Sequence, residues 1–76
     1  MDKMEGIITR VFPRRGFAFV QGTDGFTRFI HCRDMVNPVD WDFMREGKGV
    51  KFIPIDTSDY PYATGNKMRA IQVEVI

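Results

Sequence analysis

The sequence is poor in the residues that hold a chain together covalently or through metal. One cysteine, Cys32, and one histidine, His31, stand among 76 residues. No intramolecular disulfide can form, and no Cys/His cluster reaches the ligand count of a zinc site. A lone thiol suits a reducing compartment, so a cytoplasmic protein is expected. No apolar run approaches the ~20 residues of a membrane span. The opening Met1-Asp2-Lys3-Met4-Glu5-Gly6 carries charge in place of the apolar stretch of a secretory signal. There is no glycine-rich phosphate loop and no nucleophile–base pair that can be placed, which argues against an enzyme, a cofactor or a small-molecule substrate. Stability is left to packing and hydrogen bonding in one domain over 1–76, with a core only just large enough to outweigh chain entropy.

An excess of charge of either sign is also missing, since the formal net charge is +1. Its distribution says more than its sum. Residues 1–33 hold six basic groups (Lys3, Arg10, Arg14, Arg15, Arg28, Arg33) and three acidic ones, a net of +3, whereas residues 34–76 hold five basic and seven acidic, a net of −2. Such an asymmetry makes a local attractive field for anions without a high isoelectric point. A solvated surface explains scattered charges equally well.

What the chain does have is short β-forming runs separated by turn residues. Gly6 to Phe12 reads as a first strand, rich in β-branched and aromatic residues. Pro13 ends it, and Pro13-Arg14-Arg15-Gly16 turns into a second strand, Gly16 to Gln21. Gly22-Thr23-Asp24-Gly25 is a hairpin loop leading to a third strand, Phe26 to Cys32. Arg33 to Gly49 reads as a long loop with helical turns at Asp34–Val36 and Asp42–Arg45, the second capped by Asp42 and ended by Gly47. A fourth strand follows at Val50 to Asp56, with Val50 and Phe52 on one face and with Pro54 marking an edge. Thr57 to Asn66 is a second long loop. The last strand, Lys67 to Val75, alternates Met68, Ala70, Gln72 and Glu74 against Arg69, Ile71, Val73 and Val75. Five strands without a long helix favour an all-β barrel, which removes exposed edges by closure. Pattern alone leaves open an oligonucleotide-binding barrel or a peptide-binding one.

Alternation sorts the second and third strands into two faces. Ala18, Val20 and Ile30 suit a small core. Phe17, Phe19, Phe29 and His31 share the other face, and a chain this short cannot bury both. An aromatic face edged by arginine suits unpaired bases and phosphates. The plainer reading of each phenylalanine is core. Arg28 turns inward by strict alternation, where an unpaired guanidinium is costly; snorkelling at the barrel end and a bulge are both open.

These residues resemble the cold-shock domain, an oligonucleotide-binding-fold family. Arg15-Gly16-Phe17-Ala18-Phe19-Val20 matches its first ribonucleoprotein-type motif and Arg28-Phe29-Ile30-His31 its second. Gly6, Arg45-Glu46-Gly47, Val50-Lys51-Phe52 and Arg69-Ala70-Ile71-Gln72-Val73 also fall at family positions, so the resemblance covers nearly the whole chain. It implies a five-stranded antiparallel barrel, with long loops after strands 3 and 4, that binds single-stranded RNA or DNA and acts as an RNA chaperone. It places Phe17, Phe19, Phe29, His31 and Arg15 at binding positions and Trp41 at the family's loop aromatic. The departures are Arg10 and Val11 where the family has an aromatic pair, Cys32 for an aromatic, and Thr27 and Arg28 at the approach to the second motif. Phe12 lies one residue beyond the usual pair and offers a partial replacement, and Arg10 offers a guanidinium plane or a phosphate contact.

The expected interface is therefore Phe17, Phe19, Phe29, His31, Arg10, Phe12, Arg15, Trp41 and Tyr60. Trp41 is equally suited to cover a barrel end. His31 suits either a base or a backbone hydrogen bond, and Tyr60 or Tyr62 either bases or packing. A monomer is expected, with a domain-swapped dimer as the alternative. The rival to nucleic-acid binding is a protein-binding barrel, motivated by the missing tryptophan, Cys32 and the near-neutral charge.

Overall fold

A computed structural model describes residues 3–55 and 68–76. Among these residues five strands close into a barrel in the order β1-β2-β3-β5-β4. They are β1 (Met4–Phe12), β2 (Phe17–Gly22), β3 (Thr27–His31), β4 (Gly49–Ile55) and β5 (Arg69–Val75). The all-β barrel of oligonucleotide-binding type is therefore present, with one correction. The strands are not all antiparallel: β3 and β5 run parallel, Phe29 opposite Arg69. An odd number of strands cannot alternate direction all the way round a ring, so closure forces one parallel seam. That seam is thin. The Phe29 N–H donates to the Met68 carbonyl at 3.1 Å, and further along the Val36 N–H donates to the Val73 carbonyl at 3.0 Å.

The inside is filled by alternate residues of every strand. Ile8, Ala18, Val20, Ile30, Val50, Phe52, Ala70 and Val73 are each at most 1% exposed. In β4 the expected alternation holds, with Val50 and Phe52 inward. Beyond Phe52, β4 pairs with β5 and no longer with β1, so Pro54 sits where a missing N–H costs no ladder bond on that side. In β5 the expected alternation fails. Ala70 and Val73 both point inward although they are three positions apart. Gln72 has φ +48° and the register with β4 slips there, so a bulge returns Val73 to the core.

The loop from β3 to β4 holds two 3-10 helices, Cys32–Asp34 and Pro38–Phe43, earlier in the chain than the turns expected from sequence. Asn37, not Asp42, caps the second: its side-chain oxygen accepts from the Val39 N–H at 3.2 Å. Pro38 at the first helical position loses no bond by lacking an N–H. Met35 and Met44 from this loop are buried, and Trp41 packs against the same core. Among the described residues no helix is long and apolar enough to cross a membrane.

Arg28 settles inward, opposite Val20 and only 1% exposed. The hairpin loop supplies its partner. Arg28 donates from Nη1 to Asp24 Oδ1 at 3.0 Å and from Nη2 to Oδ2 at 2.6 Å. Its guanidinium also lies 5.8 Å from the Phe52 ring centroid and 3.5 Å from Met4 Sδ. Gly22 makes the room: a Cβ there would fall 2.8 Å from Arg28 Nη1 and 2.9 Å from Asp24 Oδ1. Hydrogen bonding to Arg28 holds the Asp24 carboxyl down from its ordinary 3.8 to about 2. A depressed carboxylate stabilises the fold above its unfolded-state value and stops doing so as pH falls through the folded one. Asp24→Asn should therefore melt below the wild type at neutral pH, and the gap should close as pH is lowered from 3.8 toward about 2. Arg28→Met, which replaces the buried ion by an apolar chain, should cost less than Asp24→Asn, which keeps the ion and removes the Asp24 charge facing it. Thermal melts of both variants across that pH range provide the check.

Candidate nucleic-acid interface

The outer face of β1, β2 and β3 is built by register. Cross-strand partners share a face, and Phe17 pairs with His31, Phe19 with Phe29. On the other side of β2, Phe19 pairs with Arg10 and Phe17 with Phe12. The second set depends on an irregularity at Thr9. Ile8 pairs with Val20 and Arg10 with Phe19, so β1 carries one extra residue between them. Without that bulge, regular alternation from the inward Ile8 would carry Arg10 and Phe12 inward as well. With it, Val11 turns toward the core and Arg10 and Phe12 turn out. The Thr9 hydroxyl donates to the Phe19 carbonyl at 3.3 Å beside the bulge.

Two outward rows result, Arg10–Phe19–Phe29 and Phe12–Phe17–His31. The rings meet closely. Phe17 stacks on Phe12 at a centroid distance of 4.7 Å and on Phe29 at 5.6 Å, with interplanar angles of 28° and 29°. Phe19 meets Phe12, Phe17 and Phe29 edge-on at 5.9–6.4 Å. Each such contact is worth about 0.5–1.5 kcal/mol beyond buried area, so the rings fix one another's orientation. All four phenylalanines and His31 are half-buried. The Arg10 guanidinium lies over the Phe12 ring at 5.3 Å.

His31 lies 6.5 Å from Phe29 and makes the backbone hydrogen bond that was one of its two expected roles. Its Nδ1 accepts from the Arg33 N–H at 3.1 Å, capping the first 3-10 helix. In the neutral ring the hydrogen then sits on Nε2, leaving a donor for a further partner. Arg15 is exposed in the turn between β1 and β2, close in sequence to Phe12 and Phe17. That turn is shaped by Arg15 and Gly16 N–H groups donating to the Phe12 carbonyl at 3.1 and 3.0 Å, and Gly16 has φ +77°, a conformation glycine adopts without strain. Trp41 is half-buried against the core from the second 3-10 helix, while Tyr60 and Tyr62 lie outside the described residues.

Sequence reasoning missed Arg69, which stands opposite Phe29 across the parallel seam. No local signal announces it, because the pairing joins strands nearly forty positions apart with opposite neighbours in between. Asp34 accepts from Arg69 Nη2 at 2.8 Å. On the same outer surface of the barrel, but elsewhere, Glu74 is held by Lys3 at 3.2 Å and Lys51 at 3.8 Å. Among the described residues no three His, Cys, Asp or Glu side chains gather as a metal site.

No protein-family model matches this chain, and no curated protein sequence matches it. Four phenylalanines in mutual contact outside a filled barrel form a surface separable from the core. Phe12→Ala should cost about 1–2 kcal/mol, the worth of its ring contacts, whereas Phe52→Ala, inside the barrel, should cost about 3–5 kcal/mol. Urea unfolding of the two variants measures the difference, and equal costs would make the outer rings part of the core.

Proposed function

We propose that the chain binds single-stranded nucleic acid on the outer face of β1, β2 and β3, and that it acts on RNA as a chaperone. One observation carries the reading: four phenylalanine rings and His31 crowd the side of the strands opposite a core already filled by Ile8, Ala18, Val20 and Ile30. Unpaired bases stack on such rings at about 1–3 kcal/mol each, with little regard for base identity. Arg10 and Arg15 supply phosphate contacts at the β1 edge and the neighbouring turn. Bases held on the rings are withheld from pairing, so re-annealing slows without nucleotide hydrolysis. The resemblance of both motifs to cold-shock positions agrees with this reading.

A protein-binding barrel is the second reading. Phe26 at the end of the hairpin loop and Val39 and Phe43 in the second 3-10 helix are 57%, 61% and 52% exposed, and apolar residues of this size are at home in protein interfaces. The two readings separate in a titration of labelled oligo-U and oligo-dT followed by anisotropy. Trp41 emission is the poorer probe, since its ring packs on the barrel.

Phe17→Ala combined with Phe29→Ala should weaken oligonucleotide binding by about 2 kcal/mol or more while the circular dichroism spectrum of the barrel is kept. Unchanged affinity would remove base stacking from the mechanism. Affinity of the wild type should fall as salt rises, by about 0.7 in log K per log unit of salt for each phosphate engaged. A flat salt profile would remove the arginines from it.

A further inference from the structure

We infer that Arg69 is a further nucleic-acid-binding residue, and that Asp34 is a built-in competitor for its guanidinium. The inference rests on the nucleic-acid reading above and extends it across the parallel seam. The register continues the row Arg10–Phe19–Phe29 to Arg69 on β5, so two arginines bracket two phenylalanines on one outward line. A strand of bases laid on the rings carries its phosphates along the margins of the stack, and a cation at each end of the row meets them there.

The present partner of Arg69 shows what its guanidinium is suited to hold. Asp34 Oδ2 lies 2.8 Å from Arg69 Nη2, with the two side chains 22% and 21% exposed. Neither is sealed from solvent, so a phosphate oxygen can share or displace the carboxylate, and guanidinium forks take carboxylate and phosphate with similar geometry. Asp34 closes the first 3-10 helix, whose N-terminal cap is the His31 ring, so the competitor belongs to the same short segment as a ring of the interface. In the free protein Asp34 keeps the arginine placed beside Phe29. In the complex its charge opposes the incoming phosphate.

The two partners of one ion pair are therefore expected to affect binding in opposite directions. Arg69→Gln should weaken binding of a labelled oligo-dT on the order of tenfold, the worth of one charge-assisted hydrogen bond, and should flatten the salt dependence by about 0.7 in log K per log unit of salt. Asp34→Asn should tighten binding and leave that slope unreduced. Asp34→Asn placed on Arg69→Gln should add nothing, because the competitor then has no cation to compete for. A purely structural ion pair would instead make Asp34→Asn and Arg69→Gln weaken binding together, in proportion to their loss of melting temperature, and that outcome overturns the inference. Binding by the wild type that is lost with Phe17→Ala and Phe29→Ala but is indifferent to Arg69→Gln would overturn it too, with the base-stacking reading left standing. A wild type that binds no oligonucleotide would overturn both.

Discussion

The space inside a barrel of five short strands admits one side of each strand, and the rest of the molecule is arranged around which residues take it. Ala18 and Val20 from β2, Ile30 from β3, Val50 and Phe52 from β4 and Ala70 and Val73 from β5 leave no volume for the alternate residues. The phenylalanines of β2 and β3 are outside because their neighbours are inside. The two bulges serve the same packing. At Thr9 the extra residue places Val11, not Phe12, against the core. At Gln72 a left-handed residue lets both Ala70 and Val73 face inward. A slip of one position at either place would exchange an aliphatic residue for a charged or bulky one.

Arg28 is the exception that tests the rule. It holds an inward place opposite Val20, where alternation puts it and where hydrophobicity would not. It is accommodated because the tip of its own hairpin folds back: Asp24 pairs with both terminal nitrogens, Phe52 offers a ring face, and Gly22 leaves the room. A buried pair of this kind is weak evidence for extra stability, since replacing it with apolar residues is often neutral. It does tie the hairpin loop to the barrel end, which fixes where β3 begins and so where Phe29 and His31 emerge.

Local patterns in the sequence were enough to find five strands, their turns and the division of β2 and β3 into a core face and an aromatic face. These follow from nearest-neighbour chemistry: alternation, Asp24-Gly25 at a turn, Pro13 at a strand end. Alternation turned Arg28 inward but left snorkelling and a bulge open, because its partner, a carboxylate four residues away in a loop, gives no sign of folding back. The polarity of the β3–β5 seam and the bulges at Thr9 and Gln72 were hidden for a different reason. Each is decided by closure of the whole ring, and no window of a few residues contains that constraint. The candidate site divides along the same line. Phe17, Phe19, Phe29 and His31 were found from two strands, while the outward turn of Arg10 and Phe12 needed the bulge and Arg69 needed the seam.

The bulge also changes what sort of surface the rings make. Had Phe12 gone inward, Phe17 would keep one stacking partner and present more of its ring. With Phe12 outside, Phe17 is stacked on two neighbours and met edge-on by a third. The rings therefore hold their orientation before any ligand arrives, and ordering them costs a ligand little. The same contacts cover part of the area that bases would use, so the open parts lie toward the margins of the cluster. Those margins are where the structure puts its cations: Arg10 over Phe12, Arg15 in the adjoining turn and Arg69 beside Phe29. A self-stacked centre with arginine at its edges suits a ligand that brings flat faces and phosphates together. It suits a purely apolar partner less well, because such a partner would have to bury the Arg10 and Arg15 guanidinium groups without supplying an anion.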